Sequence, residues 1–112
     1  MRLWNVPPAI MCRKHLLGEH VEIHMFVGAI RKGISMAGFL KAGVLQYDLL
    51  KPRHEAIVDE MASRGYNHNT PWVEIELPNV PDTIQSEEDS LKELLRRCPE
   101  CRARYLNHLR HL

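Results

Sequence analysis

The clearest hydrophobic pattern in the chain runs from Arg13 to Lys32. Apolar residues recur there at the spacing of an α-helix, at Leu16, Ile23, Val27 and Ile30. Gly33 follows directly, and glycine commonly ends a helix because it tolerates the left-handed backbone conformation. The pattern therefore predicts a long helix with one buried face.

Two more helices are predicted further along the chain. Pro52 suits the first turn of a helix, where no backbone N–H is needed, and an apolar stripe runs from there to Gly65, which predicts a helix over 52–64. Ser86 precedes three acidic residues, a pattern typical of a capped helix start, and Pro99 ends or kinks the helix that follows. A last amphipathic turn or two is predicted from Tyr105, Leu106, Leu109 and Leu112.

The segments between these helices carry weaker patterns. Residues 33–50 contain glycines and predict a loop with a short extended piece at 44–47. Residues 66–81 contain turn residues around 72–77, which alternate like a strand or form an isolated extended arm. Because one strand cannot make a sheet, we expect a mainly α fold. It should be a single domain, residues 1–112, of three main helices with irregular connections around one core.

Composition limits the class of protein. With 112 residues and 45% hydrophobic residues, the chain has the composition of one globular domain. No apolar run approaches the roughly 18 to 20 residues of a membrane span, and the N-terminus lacks the order of a signal peptide. We therefore expect a cytoplasmic protein with no membrane partner. Three cysteines, an odd number, do not suit the disulfide framework of a secreted protein.

Charge is segregated along the sequence. Six basic side chains face two acidic ones in residues 1–41, whereas seven acidic side chains face one basic one in residues 74–93. From residue 96 onward, five arginines face one glutamate. If the two basic ends meet in the fold, they form a positive surface suited to a phosphate backbone. A mixed, solvated surface is the alternative interpretation.

Two histidines on the first helix are candidate metal ligands. His20 and His24 are four residues apart, hence about 40° apart around the helix, and can share a metal ion. Glu22 lies about 200° from His20, so the geometry of a zinc protease, where the glutamate directly follows the first histidine, is excluded. The interpretation favoured by sequence is that this pair borders the core or contacts phosphates.

A second candidate metal site combines two distant pairs. Two residues separate Cys12 from His15, and two separate Cys98 from Cys101. Tetrahedral zinc sites favour this spacing. The two pairs can form one structural zinc site only if the start of the first helix lies beside the end of the third. The alternative is a buried Cys12 and a separate reduced or redox-active cysteine pair.

The first and second predicted helices together contain a longer motif. The first carries, in order, His15-Leu-Leu-Gly-Glu19, Glu22 and Val27-Gly-Ala-Ile-Arg31-Lys32. The second follows Tyr47-Asp48 and runs into Gly65-Tyr66-Asn67. In order and spacing these segments resemble the phage-type pyrimidine dimer DNA glycosylases, the endonuclease V family, over roughly residues 1 to 70.

The resemblance implies an endonuclease V-like fold and a DNA repair enzyme. Its expected activities are those of a glycosylase and of an abasic-site lyase that acts by β-elimination on damaged duplex DNA, with pyrimidine dimers as the expected lesion. In that family the α-amine of the first residue is the nucleophile, and a glutamate on the first helix is its catalytic partner. The resemblance places the amine at Met1 and the glutamate at Glu22. Arg2 is a bulky second residue, which normally keeps the initiator methionine in place. The implied chemistry uses no metal and no organic cofactor.

DNA contacts also follow from the resemblance. It assigns them to Arg2, Lys14, His15 and Arg31, in a protein that we expect to be a monomer. Near the glutamate, this chain has Val21 and Met25 where the family has arginines. The alternative hypothesis is a non-catalytic, zinc-stabilised module that binds nucleic acid or protein.

Overall fold

The computed structural model describes residues 1–78 and 86–111 and contains helices joined by irregular segments. Within those residues the α-helices are α1 Arg13–Arg31, α2 Ala37–Lys41, α3 Leu50–Ser63, α4 Glu87–Arg97 and α5 Pro99–Arg110. Two short 3-10 helices span Pro8–Ile10 and Tyr47–Leu49. The described residues contain no β-strand, so the mainly α prediction is confirmed.

The three predicted main helices are present with small changes at their ends. Helix α1 ends one residue before the predicted Lys32, at Arg31, and α3 begins at Leu50, which leaves Pro52 inside its first turn as expected. The Ser86 side chain accepts a hydrogen bond from the Asp89 amide, the capping arrangement predicted for α4.

The connections differ from the prediction in three places. Residues 37–41 form the short helix α2. Within the predicted extended piece at 44–47, Gln46 has extended backbone angles, but Tyr47 already begins a 3-10 turn. Residues 72–77 have no regular secondary structure. Beyond Pro99 the chain forms twelve helical residues rather than one or two turns, because Cys98 caps a new helix with proline in its first turn. Residues 79–81 of the predicted turn region and Leu112 lie outside the described residues.

The core lies between α1 and α3 and is completed by the N-terminal segment and the C-terminal helices. Its fully buried side chains include Leu3, Ile10, Met11, Leu16, Ile23, Phe26, Leu45, Leu50, Ile57 and Leu94. Leu3 and Ile10 come from the irregular first twelve residues, so this segment is part of the core rather than a loose tail. No helix among the described residues is both long and apolar enough to cross a membrane.

Helices α4 and α5 form a hairpin that packs against the N-terminal segment. Ser90 on α4 donates a hydrogen bond to the carbonyl oxygen of Trp4. On α5, Arg104 donates to the carbonyl oxygen of Ala9 through Nη2 at 3.0 Å. The two basic ends of the chain therefore meet, as the positive surface suggested by the sequence requires.

Candidate active site and metal-binding clusters

Three consecutive backbone amides fix the N-terminal segment, and two of them bond to side chains of α1. The amide of Arg2 donates to Oε2 of Glu22 at 3.2 Å, and that of Leu3 donates to the carbonyl oxygen of Val44 at 2.7 Å. The amide of Trp4 donates to Oε1 of Glu19 at 3.1 Å. The backbone is therefore fixed from Arg2 onward. The exposed Met1 directly precedes Arg2, whose amide contacts the Glu22 carboxylate.

Glu19, which the sequence interpretation did not single out, forms a buried ion pair beneath this segment. Arg53 on α3 contacts it twice, with Nε to Oε2 at 2.5 Å and Nη2 to Oε1 at 3.1 Å. Arg53 also donates through Nη1 to the carbonyl oxygen of Val6. A buried carboxylate needs such a partner, so the two acidic residues on this face of α1 have different environments. Glu19 is enclosed, whereas Glu22 is only partly buried.

Arg2 lies across the ring of Trp4, with its guanidinium carbon 3.8 Å from the ring centroid. Arg97 approaches the same ring at 5.9 Å, and Nη2 of Arg2 donates to Ser90 at 3.1 Å. Burial, followed by the charge of Arg97, lowers the pKa of Arg2, although a guanidinium remains charged in proteins. Arg2 therefore places fixed positive charge beside Glu22, and Arg97 adds a second positive charge at the Trp4 ring.

The other predicted DNA-contact residues are not all near Glu22. Lys14 is exposed in the first turn of α1, and His15 beside it is half-buried. Burial, and then the charge of Lys14, lowers the pKa of His15. Arg31 is nine residues beyond Glu22, about 13.5 Å along the axis and half a turn around it. The structure therefore brings Arg2 close to Glu22 but leaves Arg31 at the far end of the helix.

The two cysteine-containing pairs come together. The Sγ atoms of Cys12 and Cys98 are 3.8 Å apart, and Nδ1 of His15 lies 3.2 Å from Cys12 Sγ and 3.7 Å from Cys101 Sγ. The potential ligand atoms of all four residues lie within 4.8 Å of one another. This is the juxtaposition that the sequence left open, and it occurs because the α4–α5 junction packs on the start of α1.

A second cluster gathers four histidines. His20 and His24 on α1 meet His54 on α3 and His68 in the segment after it, again with ligand atoms within 4.8 Å of one another. The sequence suggested only the first two, and the interpretation that they merely border the core missed His54 and His68. Burial, followed by the charges of neighbouring histidines, lowers the pKa of His20 to about 4. Neutral imidazole is the form that binds metals.

The family is decided by comparison with known sequences. The family model described as pyrimidine dimer DNA glycosylase matches residues 1–74, which include the N-terminal segment, α1 and α3. The chain belongs to this family. At the family level its function is therefore repair of DNA by a glycosylase. No curated protein and no solved structure matches the chain. The α4–α5 hairpin, with Cys98 and Cys101, lies beyond the matched region.

Proposed function

We propose that this glycosylase cleaves the base from a damaged nucleotide in duplex DNA, with pyrimidine dimers as its substrate, and then breaks the strand as an abasic-site lyase. Met1 supplies the nucleophilic α-amine and Glu22 the catalytic carboxylate. The observation that carries the proposal is the hydrogen bond from the Arg2 amide to Glu22. Because the Met1 nitrogen is separated from that amide by one Cα and one carbonyl carbon, it is confined to the neighbourhood of the carboxylate.

The N-terminal amine is well suited to this role. An α-amine is a weaker base than a lysine side chain, so a larger fraction of it is neutral and nucleophilic at cellular pH. Met1 is 40% exposed, which leaves room for a sugar to approach. The amides that follow are already bonded, so little conformational freedom remains to be lost when the substrate binds.

The reaction has two covalent stages. The amine attacks C1′ of the damaged nucleotide as the bond from C1′ to the base breaks, and the base leaves with the electron pair. Glu22 stabilises the positive charge that develops on the sugar and accepts a proton from the attacking amine. Glu22 then returns this proton to the ring oxygen as the bond from C1′ to that oxygen breaks, and the nitrogen lone pair forms a protonated imine between Met1 and the opened sugar. Glu22 is again a carboxylate after this step.

Strand cleavage follows from the acidity that the imine gives to C2′. Removal of a C2′ proton, with Glu22 as the base, drives the electron pair toward C3′ and expels the 3′ phosphate. Water then hydrolyses the imine and frees the amine. Every step uses groups of this chain and water, so the proposal requires no oxidant and no reductant.

Binding of the DNA is assigned to basic groups around the N-terminus. Arg2 lies beside Glu22, and Lys14 and His15 are at the start of the same helix; Arg31 contacts a more distant phosphate. We expect these residues to contact phosphates, which position the duplex without reading its sequence. An enzyme that attacks C1′ also has to draw the damaged nucleotide out of the stack.

Borohydride trapping tests the proposal. A duplex with one cyclobutane pyrimidine dimer, and a second with one abasic site, are incubated with the protein and sodium borohydride. Reduction of the imine should give a covalent adduct, which peptide mass spectrometry should locate at Met1. The adduct should be lost from Glu22→Gln and from a chain extended by one residue before Met1. Glu88→Gln, a change of the same kind at an exposed residue of α4, should leave it intact.

The two duplexes separate the two activities. An adduct with the abasic duplex alone would support the lyase activity and would exclude the pyrimidine dimer as a substrate. The absence of an adduct from both duplexes, with a folded protein, would refute the imine mechanism. It would favour the alternative, a non-catalytic binding module, for which the exposed Val21 and Met25 on α1 provide an apolar contact surface.

A further inference from the structure

We propose that Cys12, His15, Cys98 and Cys101 bind one structural zinc ion that joins the start of α1 to the α4–α5 hairpin. The proposal does not depend on the glycosylase mechanism: His15 faces the sulfur atoms through Nδ1, so Nε2 is left for the phosphate contact proposed above. Three cysteines and one histidine are a common ligand set for structural zinc. All four positions are filled by protein side chains, so no coordination position is left open for a substrate or a reactive water.

The distances fit a tetrahedral metal ion. Sulfur atoms about 2.3 Å from a tetrahedral zinc lie roughly 3.8 Å apart, and a sulfur and an imidazole nitrogen lie roughly 3.6 Å apart. The structure has 3.8 Å between Cys12 and Cys98, and 3.7 and 3.2 Å from His15 Nδ1 to Cys101 and Cys12. A disulfide, by contrast, brings two sulfur atoms to about 2.05 Å. All three cysteines are free.

Backbone amides around the sulfur atoms support the same assignment. The amide of Cys12 donates to Cys101 Sγ at 3.2 Å, and that of Cys101 donates to Cys98 Sγ at 3.4 Å. Such hydrogen bonds from outside the ligand shell favour thiolates, the form of cysteine that binds zinc. Lys14, Arg97 and Glu100 line a pocket of about 310 Å³ beside the cluster, so these three charged side chains carry a net positive charge next to the thiolates.

The zinc would also support the N-terminal segment. The His15 ring packs edge-on against Trp4, with ring centroids 6.0 Å apart, and Trp4 in turn carries Arg2. The ion would therefore hold the α4–α5 hairpin, which lies outside the matched family region, against α1. Through Trp4 it would also support the segment that begins at Met1.

Cobalt substitution and metal analysis test the first site. The full chain, refolded with excess Co²⁺, should show the near-ultraviolet absorption of sulfur-to-cobalt charge transfer and the strong visible bands of a tetrahedral ion. Cys98→Ser should lose about one equivalent of zinc by elemental analysis and weaken the charge-transfer absorption. His15→Ala should also lower the metal content, whereas its control His108→Ala, at a histidine of α5 outside the cluster, should keep the metal content of the wild type.

Thiol reactivity keeps the test decisive if a cysteine variant fails to fold. In the wild-type chain with zinc, the three thiols should react slowly with a disulfide reagent and rapidly after chelation. A refolded wild type that binds no metal at this cluster, or whose cobalt form shows no charge-transfer absorption, would overturn the proposal.

The four-histidine cluster carries a second, independent inference: we infer that His20, His24, His54 and His68 bind one divalent transition metal ion. Around a tetrahedral ion with metal–nitrogen bonds of about 2.05 Å, imidazole centroids would lie roughly 5.2 Å apart. Five ring pairs of the cluster have centroid separations from 4.7 to 5.4 Å. The Nε2 atoms of His20 and His68 face each other at 3.0 Å.

One nitrogen of the cluster lacks a hydrogen-bond partner among the described residues, and one histidine has a carboxylate beside it. Nδ1 of His54 lies 2.8 Å from the Glu55 carboxylate, and Nε2 of His54 lies 3.3 Å from the Thr70 carbonyl oxygen. Nε2 of His24 is buried and has no hydrogen-bond partner in the described part of the chain. A carboxylate behind a histidine is also the usual outer support of a metal ligand.

Separate loss of the two metals tests this site. The wild type should bind two equivalents of metal in total, and His24→Ala should bind one while its cobalt form keeps the charge-transfer absorption of the cysteine site. His108→Ala should still bind two. Long-range proton–nitrogen NMR should show metal-bound nitrogens for four histidines in addition to His15. One equivalent in the wild type, or two in His24→Ala, would refute the four-histidine site and leave the cysteine site unaffected.

Discussion

The buried ion pair between Glu19 and Arg53 allows a sharp prediction about stability. Changing Glu19 to glutamine keeps the size of the side chain but removes its charge. Glu19 and Arg53 have side-chain exposures of 0% and 8%, so water cannot replace the lost partner. Arg53 would remain inside the core as an uncompensated cation. The Trp4 amide would keep an oxygen acceptor, but a neutral and weaker one.

The expected magnitude follows from the burial and the geometry. Removing one partner of a buried ion pair costs about 3–5 kcal/mol, and the two contacts between these side chains place this pair inside that range. For a chain of this size the loss corresponds to a fall in Tm of about 12–20 °C. Replacing both residues, Glu19→Leu with Arg53→Met, should cost less than the sum of the two single changes, since no unpaired charge remains.

Thermal and urea unfolding, followed by circular dichroism, measure these changes. Glu88→Gln is the control, because Glu88 and Lys92 form a pair that is more than 70% exposed on both sides, and it should change the Tm far less. A Glu19→Gln protein whose stability matches that of the control would show that Arg53 does not depend on Glu19. Strictly additive single and double changes would lead to the same conclusion.

Three further predictions concern the helices. Ser86→Ala removes the side-chain cap of α4 and should cost about 1 kcal/mol in urea unfolding. Gly65→Ala should destabilise by about 1 kcal/mol because its φ is +77°, whereas the same change at Gly28 inside α1 should stabilise by about 0.5–1 kcal/mol; equal signs would refute this reasoning. A hydrogen bond from Arg96 lowers the pKa of Glu93 to about 2, so its stabilising contribution should be present above pH 4.5 and lost as the pH falls toward 2. Thermal unfolding of Glu93→Gln and wild type across that range should show their Tm difference shrinking with acid.

Local patterns predicted the helices well because helix formation depends on near neighbours. The apolar period of α1, the proline in the first turn of α3 and the Ser86 cap each involve residues within a few positions of one another. Helix α5 was underestimated because Pro99 was interpreted as the end or a kink of the preceding helix. Pro99 instead lies in the first turn of a new helix that Cys98 caps, and a capping residue followed directly by proline is a local signal of such a start.

The site was only partly predictable because it depends on contacts between distant residues. His68 lies 48 positions from His20, and no spacing rule connects them. The zinc-type spacing of the two cysteine-containing pairs was a usable signal because each pair is local, although the approach of the pairs was not visible. Glu19 and Glu22 lie on the same face of α1, and only the packing of Arg53 distinguishes the buried one from the accessible one.

The first four residues connect the proposed catalytic carboxylate, the buried ion pair and the cysteine cluster. Arg2 bonds to the proposed catalytic carboxylate, Trp4 bonds to the buried ion pair, and the Trp4 ring rests against a histidine of the cysteine cluster. A change in the carboxylate, in the ion pair or in the cysteine cluster should therefore alter the position of the Met1 amine. If so, removing the zinc and changing Glu19 should not act independently on the rate of borohydride trapping, since both loosen the same short segment. If the two changes instead reduce the trapping rate by factors that simply multiply, they do not act on the Met1 amine through a shared segment.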